Sequence, residues 1–143
     1  MSKPHRQTVI SAILIVIFVF VALGLAAALA IVFAPVKLSM EEESYTLTFL
    51  FHNESAAYAD LEEVALLDGE SYSSKKINSY GGISKDFGTY ENEAYGRHFR
   101  LTFSENLHNY ILLKRKDGSV TVFNLRTQEE TEKLYDELKE KIA

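Results

Sequence analysis

Residues 9–33 form a stretch of twenty-five residues without a charge, close to the amino terminus. As an α-helix this stretch would be roughly 38 Å long, more than the hydrocarbon core of a bilayer, which is about 30 Å thick. A helix that is apolar on every side needs lipid or a large core around it, and the rest of the chain can build only one small core. We therefore predict a short tail at residues 1–8 and a transmembrane helix at residues 9–34.

A cleaved secretory signal is the main alternative for this stretch. Lys3 and Arg6 precede it, and Ala28-Leu29-Ala30 has the small-x-small pattern of a cleavage site. The apolar core of a signal peptide is about 7 to 15 residues long, whereas this one continues to Phe33. An uncleaved anchor is the preferred interpretation.

The flanking charges predict the orientation of the anchor. The terminal amine, Lys3 and Arg6 stand before the apolar stretch, and Lys37 stands just after it. Because positive flanks are retained in the cytoplasm, we expect a cytoplasmic amino terminus and an extracytoplasmic carboxyl-terminal domain. The margin is a few charges, so the opposite orientation, with the domain in the cytoplasm, stays open.

Small residues repeat every four positions within the stretch, at Ala22, Ala26 and Ala30. This spacing lets two membrane helices approach closely, so a homo-oligomer is one possible state of the chain. Alanine is also a common filler in membrane helices, and that interpretation is preferred.

The part of the chain after the anchor is acidic. Residues 35–143 contain all twenty acidic residues and thirteen of the fifteen basic ones, a net charge of −7. Such a domain repels phosphate backbones, which argues against nucleic acid and against broad adhesion to anionic lipid headgroups. The chain has no cysteine, so disulfides and thiolate chemistry are excluded.

The acidic part begins with a linker at residues 35–43, and a domain of short strands follows at residues 44–143. Residues 45–51 alternate between apolar and polar as a half-buried strand does. We predict a turn at residues 52–55, then strands at 56–60 and 62–67. The last of these also fits one and a half turns of helix.

Residues 70–96 are rich in Gly, Ser, Asn and Tyr and predict a long loop. The strand pattern returns at residues 98–103, 110–113 and 120–125. Between the last two strands stands Asp117-Gly118, which predicts a hairpin with a type I′ turn.

The chain closes with an amphipathic helix predicted at residues 128–142. Thr127 and Glu130 have the spacing of a capping box, and Leu134, Tyr135, Leu138 and Ile142 lie on one stripe. The predicted fold is therefore mainly β, a barrel or sheet of six or seven antiparallel strands followed by one α-helix.

This order of elements resembles the pleckstrin-homology fold, and several segments are similar to the bacterial membrane-associated version of that family. They are residues 61–68, 80–83, 96–101, 109–113 with Asp117-Gly118, and 127–138. The resemblance implies a membrane-tethered, pleckstrin-homology-like domain, and it brings no established active-site residues. Relatives that bind phosphoinositides carry basic residues in the loop between the first two strands. The predicted turn at residues 52–55 has no Lys or Arg, which argues against phosphoinositide binding.

The sequence predicts no catalytic, cofactor or metal site. The histidines at positions 5, 52, 98 and 108 do not have metal-ligand spacing. The serines near position 73 are not in a Gly-x-Ser-x-Gly motif, and the glycines do not have phosphate-binding spacing.

A candidate partner surface lies in the predicted long loop, where aromatic residues alternate with lysines and small polar residues. Tyrosine supplies contact area at low entropic cost, as protein recognition surfaces require. The alternative is that these rings close one end of the barrel. The candidate residues are Tyr80, Phe87, Tyr90, Tyr95, Lys75, Lys76 and Lys85.

Three classes of function follow. The preferred one is a membrane-anchored, non-catalytic module that binds a protein or peptide, or self-associates, through this loop or a sheet edge. The second is a lipid- or envelope-binding domain, which requires the lysines of the loop and of the hairpin to converge. The third is an enzyme, which requires a concave site with perturbed ionisable groups.

Overall fold

The computed structural model describes residues 2–50, 52–81, 85–103 and 109–143 and divides the chain into two compact units, residues 1–34 and 35–143. The first unit contains one α-helix, α1, at Lys3–Phe33. Its large apolar side chains are exposed, and it has the length and composition of a membrane span or signal anchor. The helix begins six residues before the apolar stretch, because Pro4 lies in its first turn, where proline needs no hydrogen-bonded N–H.

The second unit is built from two β-sheets. The smaller sheet contains β1 (Lys37–Met40), β2 (Ser44–Phe49) and β3 (His52–Ala57), all antiparallel. The larger sheet has the strand order β4-β8-β9-β7-β6-β5. Its strands are β4 (Leu61–Asp68), β5 (Lys75–Gly81), β6 (Lys85–Asn92), β7 (Gly96–Phe103), β8 (Asn109–Arg115) and β9 (Val120–Phe123).

The predicted turn at residues 52–55 is wrong, because these residues belong to β3. Phe49 pairs with His52, so two residues connect β2 to β3, and Leu50 has a left-handed φ of 47°. Leucine rarely adopts this conformation, and the sequence therefore has no turn signal at that point. The strand predicted at residues 56–60 is half right, since Tyr58–Asp60 form a short 3-10 turn.

The predicted long loop at residues 70–96 is also wrong, because it contains the antiparallel pair β5 and β6. Strand β5 is exposed on both faces, so its sequence has no apolar alternation. Gly88 suggested a break, but it lies within β6, where φ is +145°. An added Cβ at Gly88 would lie 2.4 Å from the carbonyl oxygen of Asn78, so the close approach of β5 requires glycine there.

The strand predictions outside this region are confirmed in outline. Residues 61–68 form β4 and not a helix, and the hairpin at Asp117-Gly118 joins β8 to β9. The turn is not type I′, because Asp117 keeps a negative φ and only Gly118, at +91°, is left-handed. The N–H of Gly118 donates to the carbonyl of Arg115 at 2.9 Å, as in a type I turn followed by a bulge.

The order of the larger sheet differs from a simple antiparallel meander. Strand β9 lies between β8 and β7, and it pairs with β7 in parallel over residues 99–101. The described strands therefore form two separate sheets, one of them mixed, and not a closed antiparallel barrel. The coarse prediction, a mainly β domain with one carboxyl-terminal helix after an apolar amino-terminal helix, is confirmed.

The carboxyl-terminal helix, α2, spans Gln128–Ile142 and contacts β8 and β4. The side chain of Thr127 accepts a hydrogen bond from the N–H of Glu130 at 3.2 Å, which caps the first turn as predicted. Leu138 is completely buried on the apolar stripe of the helix.

Aromatic contacts join the two sheets. One face of the larger sheet carries Phe87 and Phe99, and both meet side chains from the smaller sheet. Phe49 meets Phe87 edge to face, with 4.9 Å between ring centres, and the ring of His52 stacks on Phe99 at 4.0 Å. One hydrophobic layer therefore lies between the sheets. A second cluster of buried residues lies on the opposite face of the larger sheet and contains Tyr72, Tyr110, Leu112, Val120 and Val122.

A buried ion pair lies in the same layer. Arg115 of β8 donates to the carboxylate of Glu54 in β3, and both side chains are about 15 % exposed. Thr121 donates to Glu54 at 2.6 Å and accepts from Arg115 at 3.0 Å, while Tyr45 accepts from Arg115 at 3.2 Å. Burial raises the pKa of Tyr45 to about 12, so its hydroxyl stays protonated and also donates to Glu54. We call these four side chains the Glu54 network.

Replacement of Glu54 by Gln should destabilise the folded domain by about 3 kcal/mol, because Arg115 would keep its burial and lose its charge partner. Glu62→Gln is the matched control, since Glu62 pairs with Lys114 at 3.7 Å on the surface and is 53 % exposed. It should change stability by less than about 1 kcal/mol. Thermal unfolding of the full chain in detergent measures both, and equal losses would contradict the prediction.

The same variant should alter the response to acid. Burial by itself raises the pKa of Glu54, but hydrogen bonds from His52 and Thr121 and the charge of Arg115 prevail and lower it below the ordinary 4.5. The ionised carboxylate therefore stabilises the fold above about pH 4.5, and this contribution is lost as the pH falls through the lowered pKa. In Glu54→Gln the decline of the melting temperature below pH 4.5 should be shallower than in the wild type.

Candidate functional site

The structure places six of the seven candidate surface residues on one hairpin and separates them by burial. Tyr80 and the neighbouring lysines 75 and 76 are exposed on β5. Phe87 on β6 and Tyr95 in the turn before β7 are half-buried. Tyr90 and Lys85 on β6 are buried, at 6 % and 2 % exposure, so their side chains offer almost no contact area to a protein partner.

Strand β5 lies at one edge of the larger sheet, and among the described strands it pairs only with β6. Its outer backbone groups therefore have no strand beside them in the described part of the chain. Ile77 and Tyr80 are 40 % and 52 % exposed, and they are the large exposed apolar residues that the structure describes outside α1. A bulge at Ile77 shifts the register with β6. We call residues 75–81 the β5 edge.

Lys85 lies within the layer between the sheets. Its Nζ is 5.5 Å from the ring centre of Phe49 and 5.2 Å from that of Phe103. Burial lowers its pKa, and the charge of Arg126 lowers it further. Contact with two aromatic faces stabilises a cation in such a position, so Lys85 belongs to the core.

A cleft of about 400 Å³ opens on the other face of the larger sheet. Its walls are the segment that joins β4 to β5 and the turn that joins β6 to β7. The side-chain amide of Asn92 donates to the carbonyl of Ser73 at 3.0 Å, which ties the two walls together. The cleft is lined by Leu67, Ser71, Tyr72, Ser73, Asn92, Glu93, Ala94 and Tyr95.

Tyr72 reaches from this cleft to a buried histidine. Its hydroxyl lies 2.6 Å from Nε2 of His98, and Nδ1 of His98 lies 2.8 Å from the carbonyl oxygen of Gly96. Because a carbonyl can only accept, Nδ1 carries the proton and Nε2 accepts from the Tyr72 hydroxyl. Burial lowers the pKa of His98 below 6.5, and the charge of Arg100 adds to this against the opposing hydrogen bond to Gly96. His98 is therefore neutral at pH 7.

Arg100 lies beside Tyr72 and is surrounded by aromatic rings. Its guanidinium carbon is 4.4 Å from the ring centre of Tyr90, 5.6 Å from that of Tyr110 and 5.8 Å from that of Tyr72. Two hydroxyl groups hold the guanidinium, since Nε donates to Thr102 at 2.7 Å and Nη1 donates to Ser74 at 2.9 Å. We call Arg100 and these three tyrosines the Arg100 cluster.

Sequence reasoning missed the Arg100 cluster and the role of His98. His98, Arg100 and Thr102 alternate along β7 with Phe99, Leu101 and Phe103, so the polar residues share the face that points away from the smaller sheet. That alternation predicted the strand. The polar residues on one of its faces were the one sign in the sequence that a site could lie there. The tyrosines come from β6, β8 and the β4–β5 segment, which no sequence spacing connects.

The arrangement is suited to binding. Burial raises the pKa of the Tyr72 phenol, so at neutral pH it is a hydrogen-bond donor and not a phenolate nucleophile. Among the described residues, no three His, Asp or Glu side chains are grouped closely enough to hold a metal ion. The cleft offers two tyrosine rings, a carboxylate at Glu93 and two serine hydroxyls to a ligand.

Replacement of Tyr72 by Phe should raise the pKa of His98 and cost about 1 kcal/mol of stability, because the neutral imidazole loses the hydroxyl that donates to Nε2. Long-range ¹H–¹⁵N NMR through a pH titration measures both the tautomer and the pKa. Tyr95→Phe is the control, since the Tyr95 ring meets His98 edge to face at 6.0 Å, while among the described residues it is the Tyr72 hydroxyl that bonds to Nε2 of His98. A wild-type His98 protonated on Nε2, or an equal pKa rise in both variants, would contradict this assignment.

Comparison with known proteins gives no relative on which to base a function. No family model matches the chain, and searches of curated proteins and of solved structures find no match. The chemistry of the β5 edge and of the Arg100 cluster therefore carries the functional argument.

Proposed function

We propose that this protein is a membrane-anchored, non-catalytic docking module whose β5 edge binds an extended segment of a protein partner. The observation that carries the proposal is the position of β5 at the end of the larger sheet, exposed on both faces. An extended peptide that adds to a sheet edge gains main-chain hydrogen bonds, and alternate side chains supply specificity.

The side chains of β5 fit this mode of binding. Ile77 and Tyr80 provide apolar contact area, and Tyr80 is braced by Phe87 at 5.5 Å between ring centres. Lys75 and Lys76 add two positive charges at one end of the edge, in a domain whose net charge is −7. These charges favour a partner segment that carries acidic residues.

Lipid or envelope binding is the alternative, and the lysine positions weigh against it. It requires the lysines of β5 to converge with those at the β8–β9 hairpin. Three strands separate β5 from β8, which places the two groups roughly 19 Å apart at the usual strand spacing. Lys114 is engaged with Glu62, and Lys85 is buried.

The ionisable groups with shifted pKa values have structural roles, and this supports a non-catalytic module. Glu54, Lys85 and His98 have shifted pKa values, and each is held in contacts between strands. Groups with these shifts also occur in active sites, but here burial and structural partners account for them.

The proposal includes the resemblance of this domain to the pleckstrin-homology-like family. It is supported by a β domain that ends in a single capped helix, α2. The parallel pair of β7 and β9 differs from the antiparallel barrel of that fold. The short connection between β2 and β3 contains Leu50 and Phe51 and no basic residue, so the argument against phosphoinositide binding persists.

A photoreactive benzoylphenylalanine at Asn78 should form adducts with a partner in intact membranes, because Asn78 is exposed in the middle of the β5 edge. The same probe at Glu137, exposed on α2, is the control. Ile77→Ser combined with Tyr80→Ser should reduce the Asn78 adduct about tenfold, the effect of losing 1.4 kcal/mol of binding. An adduct of dimer mass identifies self-association through the same edge, whereas equal adducts at both positions or none at Asn78 refute the proposal.

We also propose that α1 is an uncleaved anchor with a cytoplasmic amino terminus. This rests on Lys3 and Arg6 before the apolar stretch and on Lys37 alone just after it. The domain would then meet its partner outside the cytoplasm.

Asn78→Cys provides the test of orientation, since the natural chain has no cysteine. A membrane-impermeant maleimide should label this residue in intact cells, and the unsubstituted chain is the background control. Labelling only after lysis would place the domain in the cytoplasm. Loss of the first thirty residues from the mature chain would show that the apolar stretch is a cleaved signal.

A further inference from the structure

Arg100 differs from two neighbouring arginines in its partners. Arg115 is paired with Glu54, and Arg97 is paired with Glu91 at 3.3 Å. Among the described residues, no carboxylate lies within ion-pair distance of Arg100, although its side chain is half-buried. A guanidinium that is partly removed from water without a counter-charge attracts anions more strongly than an exposed one.

The hydrogen bonds of Arg100 use only some of the N–H groups of its guanidinium. A guanidinium has five N–H groups. One on Nε goes to Thr102 and one on Nη1 goes to Ser74, so three N–H groups have no partner among the described residues. Because these two bonds and the ring of Tyr90 fix the plane of the guanidinium, the free N–H groups are oriented before a ligand arrives.

Two tyrosine hydroxyls add donors beside the guanidinium. The rings of Tyr90 and Tyr110 are buried, at 6 % and 4 % exposure, yet their hydroxyls have no hydrogen-bond partner in the described part of the chain. Among the described residues, the hydroxyl of Ser79 is the one fully buried side-chain polar atom without a hydrogen-bond partner. The hydroxyls of Tyr90 and Tyr110 are therefore not fully buried, and solvent reaches them. The Tyr90 and Tyr110 rings lie 4.4 Å and 5.6 Å from the guanidinium carbon of Arg100, so both tyrosines border the same cation.

We propose that the Arg100 cluster is a binding site for a small oxyanion, either a carboxylate or a phosphate group. The free N–H groups of Arg100 would bind two of its oxygens, and the hydroxyls of Tyr90 and Tyr110 would donate to it. Guanidinium and carboxylate or phosphate match in this bidentate geometry. Ser74 and Thr102 position the guanidinium. This site lies on the sheet face and is independent of docking at the β5 edge.

The test measures anion binding to the full chain in non-ionic detergent. Sodium phosphate and sodium acetate are titrated separately at constant ionic strength, with sodium chloride as the reference, and the tyrosine ring signals are followed by NMR. We expect saturable shifts of the Tyr90 and Tyr110 signals with phosphate or acetate and none with chloride. Absence of saturable shifts with both oxyanions overturns the proposal.

Arg100→Gln and Arg97→Gln form a matched pair, because both remove one positive charge from β7. Arg100→Gln should weaken oxyanion binding at least about tenfold, the effect of one charge-assisted hydrogen bond. Arg97→Gln should leave the affinity unchanged, since Arg97 is exposed and paired with Glu91. Equal weakening in both variants would show that the anion responds only to the net charge of β7. That result would refute a binding site at Arg100.

A second pair of substitutions decides the matter if Arg100→Gln does not fold. Tyr90→Phe with Tyr110→Phe keeps both rings against the guanidinium and removes only the hydroxyls. This double variant should bind the oxyanion about fivefold more weakly, and Tyr95→Phe with Tyr135→Phe is its control. Unchanged affinity in the first double variant refutes the proposed donor set.

The two anions distinguish the sources of the ligand. Tighter binding of acetate than of phosphate indicates a carboxylate, as in an acidic side chain or a small organic acid. Tighter binding of phosphate indicates a phosphate group. Nanodiscs with and without phosphatidic acid then separate a lipid headgroup from a soluble phosphate, because only the former reproduces the tyrosine shifts without added phosphate.

Discussion

The Glu54 network is the interaction on which the rest of the domain depends. It joins β3 of the smaller sheet to β8 and β9 of the larger one, through an ion pair that is about 85 % removed from solvent. Such a pair is tolerated because Thr121, Tyr45 and His52 satisfy the remaining hydrogen-bonding positions of the carboxylate. The ion pair fixes one alignment of the two sheets, whereas apolar packing alone allows several alignments of similar energy.

Local signals in the sequence identified those elements whose chemistry is local. The alternation of residues 45–49, the Asp117-Gly118 turn and the Thr127 cap each depend on a few consecutive residues, and each was found in place. Leu50 and β5 could not be predicted in this way. Leu50 adopts a conformation that its side chain disfavours, and β5 is a strand because β6 pairs with it, not because one of its faces is buried.

The candidate site was predicted only in part for a related reason. The aromatic and basic residues at positions 75–95 do lie near one another, but burial divides them between the core and the β5 edge. Arg100 acquires its neighbours from three other segments of the chain, so its environment depends on the sheet order. The histidines looked scattered in sequence, and the one at position 98 became notable only when the β4–β5 segment brought Tyr72 to it.

The central position of β9 affects how the chain can mature. The four residues of β9, Val120–Phe123, join the two parts of the larger sheet. One part contains β4 and β8, and the other contains β7, β6 and β5. During synthesis β4 to β8 are made before β9. Strands β7 and β8 therefore each lack a partner on one side until β9 is made. The larger sheet therefore remains incomplete, with open strand edges, until residues 120–123 have been made. Unpaired strand edges of this kind make an incompletely folded chain prone to aggregation, so the four residues of β9 have an importance for folding that exceeds their number.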